Sequence, residues 1–422
     1  MDAAILRAWL ARRQGLDGSL AGAAPATVLE RVGWARSVGG ANPYLTLFSR
    51  AGTDRAAVDA GVAALDLYEL PAARGCTYVV PAAHYGLALQ VGRGAPEGDL
   101  KVLARLGVER SEIDKLCSAV LDVVGDAPLD PAELKTRLGD AVRNLGDEGR
   151  KRGQTTTLPA ALGLLQASGD LRRVPVNGRL DQQRYGYVRW TRPSSGLTDD
   201  EARAELARLY WSWTGPATVA HFRWFSAFTA AQAKAAIAEL DLVEVDSLES
   251  GLRSSGGSGG GGSRGGGGSR GSGGSRGGGG SRGGGGSRGG GDDGLLVLRG
   301  DEPPEVPAEP QVSLVAGIDS LVLLRRDHVS LLEADVPSVG GVADLPSHAI
   351  VDRGEIVGLW EYDVEGERIV WATFDGGRST PVAEAVERTE EYVRTQLGDA
   401  RSFSLDSPKT RAPRIAAVQA MR

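Results

Sequence analysis

Basic, hydroxyl and amide side chains crowd into one part of the chain, residues 143–189. Such side chains contact phosphates and base edges in protein–DNA complexes, so the chemistry that they offer is recognition of a polyanion. In this part of the chain, the residues that we expect to contact DNA are Lys151, Arg152, Thr155, Thr156, Arg172, Arg173, Arg179 and Arg184.

The elements that would position these side chains have the pattern of a winged helix. Residues 131–138 follow an Asp-Pro start signal and predict a helix, and residues 155–168 predict a second one with apolar side chains on one face. Asn177 and Gly178 are the pair that a two-residue type I′ turn requires, so residues 171–190 predict a hairpin, the wing. Winged helices commonly bind DNA. The alternative is a module that packs only against protein while its arginines are solvated.

The rest of the chain divides around a Gly/Ser/Arg tract at residues 251–294, which predicts a disordered linker because it has almost nothing to bury. The arginines of this tract either add weak attraction to nucleic acid or belong to a repeat without a role. The predicted fold class is α+β, with tandem winged-helix units and a C-terminal antiparallel β-rich domain. The predicted boundaries are 1–110, 111–195 and 196–250 for three winged-helix-like units, and 295–422 for the β-rich domain with its C-terminal helix and basic tail.

Charge and composition exclude some classes of function. Six of the 48 Lys and Arg residues lie in the tract between Arg253 and Arg288, so 42 remain against 54 Asp and Glu, and any DNA surface must be a local basic face on an acidic body. Two cysteines and four scattered histidines do not predict a disulfide framework or a metal site. No apolar run reaches the length of a membrane span, so we expect a cytoplasmic protein without membrane partners.

Five short strings in the chain resemble one known family when they are taken together and in order. Arg74-Gly-Cys-Thr-Tyr-Val-Val-Pro81 is similar to a signature of the AlkZ-like (YcaQ-like) DNA glycosylases, a winged-helix family. The other similar strings are Pro43–Arg50, Thr214–Thr218, Gly358–Tyr362 and Ser404–Arg414. The resemblance extends from the first helices to the C-terminal tail and is interrupted by the Gly-rich tract.

This resemblance implies a monomer without a small-molecule cofactor that surrounds double-stranded DNA and excises bulky alkylated bases or unhooks crosslinks. Alkylation makes the base a charged leaving group, so such an enzyme mainly orients a water and stabilises an oxocarbenium-like sugar. Arg50 and Arg74 would bind phosphate or have a structural role in the first unit. The alternative is that both form buried ion pairs, with Asp59 or Glu69 as partners.

The chain departs from the family at the catalytic motif, which is Gln-x-Gln or Gln-x-Asp in its members. The motif should fall on Arg36 and Val38, and the whole window from Trp34 to Asn42 lacks Gln, Asp and Glu. Either Ser37 or Asn42 orients the water, or the catalytic step is lost. The sequence therefore leaves open a DNA-binding protein similar to glycosylases, a non-catalytic regulator or damage-shielding protein, and a protein-interaction scaffold.

Two further groups of residues have a structural and a functional interpretation. Asp319 interrupts an apolar run, and we expect a buried structural carboxylate there, with a functional one as the alternative. Trp211, Trp213, His221 and Trp224 could line a base-stacking pocket, but aromatic residues at helical spacing favour a core.

Overall fold

The computed structural model describes residues 1–182, 184–191, 195–245, 294–333, 344–377 and 379–421. Helices and antiparallel sheets alternate along these ranges, so the prediction of a mixed α and β architecture is confirmed at that level. The predicted linker lies outside the described residues apart from Gly294.

The helices of the described residues are α1 (Ala3–Arg13), α2 (Pro25–Val32), α3 (Asn42–Ala51), α4 (Arg55–Ala63), α5 (Tyr85–Val91), α6 (Glu97–Arg105), α7 (Arg110–Val123), α8 (Pro131–Leu138), α9 (Gly146–Lys151), α10 (Leu158–Ser168), α11 (Asp199–Thr214), α12 (Val219–Ser226), α13 (Ala230–Ile237), α14 (Ser320–Leu323), α15 (Thr380–Tyr392) and α16 (Pro408–Ala420). The strands are β1 (Ala35–Arg36), β2 (Leu67–Pro71), β3 (Thr77–Pro81), β4 (Leu171–Pro175), β5 (Tyr185–Arg189), β6 (Leu242–Glu244), β7 (Leu296–Leu298), β8 (Val312–Val315), β9 (His348–Asp352), β10 (Glu355–Asp363) and β11 (Arg368–Thr373).

Four antiparallel sheets organise these strands. The orders are β1-β3-β2, β4-β5, β6-β7 and β11-β10-β9-β8. In the first sheet Val79 of β3 lies between Ala35 and Glu69, so side chains at these three positions share one face. Strands β6 and β7 pair although the Gly-rich tract separates them in sequence.

The hairpin of β4 and β5 is present, but its predicted two-residue turn is wrong. The strands close at Pro175 and Tyr185, and the connection between them contains a short 3-10 helix. Gly178 has a positive φ of 76° whereas Asn177 does not, so the type I′ geometry is not formed. Packing overrides the turn preference, because Leu180 of this connection is fully buried in the core.

The apolar run that Asp319 interrupts, residues 312–324, forms two separate elements. Only Val312–Val315 forms a strand, and Asp319 then caps α14 by accepting a 2.9 Å hydrogen bond from the Leu321 backbone. An N-cap carboxylate satisfies backbone donors that the first helical turn leaves unpaired. The run is largely apolar because most residues of the strand and the short helix are buried.

The largest core connects the N-terminal helices with the C-terminal sheet. Leu45 of α3, Val79 of β3, Ile350 of β9 and Val386 of α15 belong to one buried cluster. Trp211 and Trp213 are fully buried in a second cluster, as expected for core residues. The predicted division at residue 295 therefore does not coincide with a boundary between cores, and the division into winged-helix units stays a prediction.

A buried ion pair lies between the two halves of the chain. Arg50 of α3 donates to Asp319 at 2.6 and 3.0 Å, and both side chains are completely inaccessible. Thr46 donates to the same carboxylate, and Arg50 also donates to the Gln14 carbonyl at 2.8 Å. The Gln14 amide in turn donates to the carbonyl of Trp213 at 2.7 Å. This network joins α1, α3, α11 and α14.

The network decides between the alternatives for Arg50. Its guanidinium cannot contact a phosphate in this conformation, and the buried ion pair is formed. The partner is Asp319 and not Asp59 or Glu69, because the apolar core brings α3 against the start of α14.

Removing one partner of this pair should strongly destabilise the fold. We expect Asp319→Ala to lower the free energy of unfolding by about 3–5 kcal/mol, because Arg50 would remain buried and charged without a carboxylate. Chemical denaturation of the full-length protein measures this loss. Arg110→Ala is the control, since its pair with Asp114 is exposed and is worth roughly 0–1 kcal/mol. Equal losses in the two variants would contradict the assignment.

His348 should make stability depend on pH. Gly317 donates its N–H to Nδ1 at 3.0 Å, and Nε2 lies 2.8 Å from the Ala400 carbonyl, so the neutral ring fits both partners. Burial lowers the pKa of His348 below its ordinary value. The stabilising contribution of the neutral ring is present above about pH 6.5 and is lost as the pH falls below it, because the unfolded histidine then takes up a proton. Chemical denaturation at pH 7.5 and 5.5 measures the free energy of unfolding of the wild type and of His348→Gln. Between these two pH values, the wild type should lose more of this free energy than the variant. Equal losses would contradict this role of His348.

Candidate nucleic-acid interface

The window that should carry the catalytic motif, residues 34–42, runs from α2 through β1 into α3. The Ser37 side chain is 1% exposed and donates its hydroxyl to Glu69. Asn42 is equally buried and donates its amide to the backbone carbonyl of Arg36 at 2.7 Å. Both candidates for orienting a water are therefore engaged within the protein.

Glu69 is a carboxylate that contacts this window through Ser37, and the sequence did not identify it as a site residue. Ser37, Tyr185 at 3.1 Å and Arg173 at 2.8 Å all donate to its Oε1 atom. Its Oε2 atom is buried and has no hydrogen-bond partner. The only signal was an acidic residue inside the strand pattern Leu-Tyr-Glu-Leu. The contacts across the sheet and to the hairpin come from tertiary structure.

Three predicted DNA-binding arginines of the hairpin, Arg172, Arg173 and Arg179, are engaged within the protein instead of facing solvent as predicted. Arg173 is held by Glu69, as described. Arg172 lies over the ring of Trp190 at 4.8 Å, and burial lowers its pKa. Arg179 makes two hydrogen bonds to Asp181, at 2.6 and 2.9 Å, and a third to the carbonyl of Leu397. The physical reason is that the hairpin packs against β2 and the C-terminal helices.

The remaining predicted DNA contacts of residues 143–189 do reach solvent. Lys151 and Arg152 are exposed near the end of α9, with Lys151 paired to a neighbouring glutamate at 2.7 Å. Thr155 is exposed and Thr156 half-buried before α10, and Arg184 is exposed at the end of the hairpin connection. Their role in DNA binding stays a prediction.

A second group of cations surrounds Trp224 of α12. The Arg74 guanidinium lies 4.0 Å from the ring centroid of Trp224, and that of Arg326 lies 5.5 Å from it. Arg74 has a φ of 59° and Arg326 a φ of 53°, a left-handed backbone conformation that costs non-glycine residues roughly 1 kcal/mol or more. The same aromatic residue is thus contacted by two arginines with strained backbones. Arg74 is exposed, and Arg326 also pairs with Asp344 at 3.1 Å.

Strand β3 connects this group of cations to the window. Arg36 donates to the carbonyl of Thr77 at 3.1 Å and lies over the ring of Tyr78, whose ring is 6.2 Å from that of Phe225 in α12. Three guanidinium groups therefore lie on aromatic rings along connected elements. The name arginine face is used below for these residues: Arg36, Arg74 and Arg326.

A loop from the C-terminal part of the chain packs directly against the window. Ala41 donates its N–H to the carbonyl of Arg401 at 2.8 Å, and Ser404 donates its N–H to the carbonyl of Val38 at 3.1 Å. The approach is so close that a Cβ atom at Gly40 would come within 2.3 Å of the Ser402 carbonyl oxygen. Glycine is therefore required at this position by contact between backbones. Residues 401–406 are called the window loop below.

Two other kinds of site are not formed by the described residues. None of their helices is long and apolar enough to cross a membrane. Within the same residues, His, Cys, Asp and Glu do not form a group of three or more that could hold a metal ion.

A solved structure and a family model are similar to this chain. No curated protein matches the chain significantly in sequence. The solved structure of the Streptomyces sahachiroi DNA glycosylase AlkZ is similar, with a TM-score of 0.61 over 95% of this chain and 98% of that chain at 20% sequence identity. At such identity the likeness shows a shared fold. The sequence model of a family described as DNA glycosylase AlkZ-like matches residues 29–256, which is more than half of the chain and includes the window, Glu69 and Trp224, so the chain belongs to the AlkZ-like DNA glycosylase family.

Proposed function

We propose that this protein binds double-stranded DNA along the arginine face and the neighbouring window loop. The observation that carries the proposal is the pair of arginines with left-handed backbones on Trp224, beside the window in which the family places its catalytic motif. Strain at such positions is retained where the surrounding structure and function require it. Guanidinium groups that lie on aromatic rings present fixed donors to phosphates.

The side chains of the window support DNA binding better than base excision by the window residues themselves. An arginine guanidinium has donors but no acceptor, so Arg36 cannot act as a base, and Val38 has no side-chain polar atom. Ser37 and Asn42 are buried and bonded to the protein, so they have little capacity left to hold a water. This geometry fits a DNA-binding protein that does not excise a base through these residues. Such a protein would be a regulator, or would shield or mark a site on the DNA.

A second candidate function, hydrolysis of the glycosidic bond, is favoured by one observation. The Oε2 atom of Glu69 is buried without a partner, next to Ser37. A carboxylate in that state has an acceptor left for a water, and a positioned base contributes roughly 10²- to 10⁴-fold in rate. In this candidate Glu69 replaces the amide pair of the family.

Replacing a cation of the arginine face should weaken DNA binding. We expect Arg74→Ala to lower affinity for a duplex about fivefold and to reduce the salt dependence by about one counterion, because one phosphate contact is lost. Fluorescence anisotropy with a labelled duplex at several salt concentrations measures both quantities. Arg110→Ala is the control, because Arg110 is an exposed arginine on another element.

Two other outcomes would contradict this location. A loss of affinity in a Lys151→Ala/Arg152→Ala variant, with Arg74→Ala unchanged, would assign the DNA surface to α9 and α10. Absence of duplex binding by the wild type at low salt would select the protein-interaction scaffold instead.

The variant Glu69→Gln tests whether the protein excises a base or only binds DNA. The wild type is incubated with a duplex that carries N7-alkylated guanine, and alkaline treatment then converts abasic sites to strand breaks. If Glu69 supports hydrolysis, Glu69→Gln should lower the single-turnover rate at least 100-fold. Tyr185→Phe is the matched control, since it removes only one hydrogen bond to the same carboxylate.

Each result of this assay has a definite meaning. Binding by the wild type without strand breaks supports a protein that does not excise this lesion. Strand breaks that persist in Glu69→Gln at the wild-type rate would exclude Glu69 as the base.

A further inference from the structure

The window loop exposes two large apolar side chains. Leu405 is 86% exposed and Phe403 is 44% exposed. Single exposed apolar residues are ordinary on protein surfaces. Here, however, the two lie on one short loop whose backbone is bonded to the window.

The loop is held rigidly while these two side chains remain outside. Asp406 is 3% exposed, accepts a hydrogen bond from the Ser402 N–H at 3.2 Å and pairs with Arg414 at 2.8 Å. Arg414 also donates to the buried carboxylate of Glu361 at 2.8 Å. Together with the bonds to Val38 and Ala41, these contacts fix both sides of the loop.

Phe403 adjoins one cation of the arginine face, Arg326. A cavity of about 300 Å³ is lined by Phe403 together with Arg326 and Arg414. Lys409, which follows the loop in the first turn of α16, is exposed. A ligand that contacts this surface therefore meets a narrow apolar tip beside the exposed Lys409, while Arg326 and Arg414 are paired with carboxylates.

We propose that Leu405 and Phe403 form a wedge that enters the base stack of the duplex held by the arginine face. The inference rests on the proposed DNA binding and adds a mechanism of base unstacking next to the window. Apolar side chains inserted between base steps unstack and kink DNA, and neighbouring cations neutralise the phosphates of the kinked strand. A protein partner fits less well, because two side chains on a narrow loop offer far less than the roughly 800 Å² per partner that a stable protein interface buries.

The test uses full-length protein and a duplex that contains 2-aminopurine, whose fluorescence rises when the base is unstacked. We expect the wild type to increase the fluorescence, and Phe403→Ala/Leu405→Ala to lower that increase at least fivefold at saturating protein. Affinity for the duplex should change less than the fluorescence, because the phosphate contacts remain. Val329→Ala is the matched control: its side chain is 55% exposed on a different element.

The outcomes separate this inference from the proposed function. Binding of the wild type without a rise in fluorescence, or a full rise in the double variant, overturns the wedge and leaves DNA binding intact. Failure of the wild type to bind the duplex overturns both. The wild type could also self-associate where the double variant does not, while both proteins give the same 2-aminopurine fluorescence. That result would assign the loop to protein contacts and overturn the wedge. Both side chains are exposed, so the variant should keep the wild-type melting temperature.

Discussion

The ion pair between Arg50 and Asp319 is the interaction on which the arrangement of this protein depends. Two charges that are completely removed from water are tolerated only when each has a partner, and here both have several. The pair comes from segments 269 residues apart in sequence. Its geometry therefore forces α3 and the start of α14 together, and α3 begins at the end of the window.

The ion pair also positions the candidate site, because short stretches of chain connect α3 and α14 to that site. Asn42 opens α3, and the window loop contacts Val38 and Ala41 just before it. Arg326 follows α14 by three residues and lies against the ring of Trp224. A surface made of four separated segments is thus positioned by one buried polar network and the cores around it. This also explains how a chain with net negative charge can concentrate cations locally.

Elements with strong local signals agree with their sequence patterns. The helix Pro131–Leu138 begins and ends where its start signal and periodicity predict, because its N-cap Asp130 accepts backbone hydrogen bonds within the same turn. Elements without such signals differ. Residues 35 and 36 follow the helix Pro25–Val32 and form a strand, since pairing with Val79 and Tyr78 outweighs local preference.

The sequence by itself determined the mixed helical and sheet architecture and the membership of a DNA glycosylase family, because periodicity, caps and short motifs are local properties of the chain. It also predicted a departure from the family at residues 34–42. Only the tertiary structure decided which cations are available. Arg50 and Arg173 are paired with buried carboxylates, whereas Arg74 is exposed and lies on the ring of Trp224. Whether a charged side chain is buried and paired or exposed depends on contacts between residues far apart in sequence, and a linear pattern does not specify those contacts.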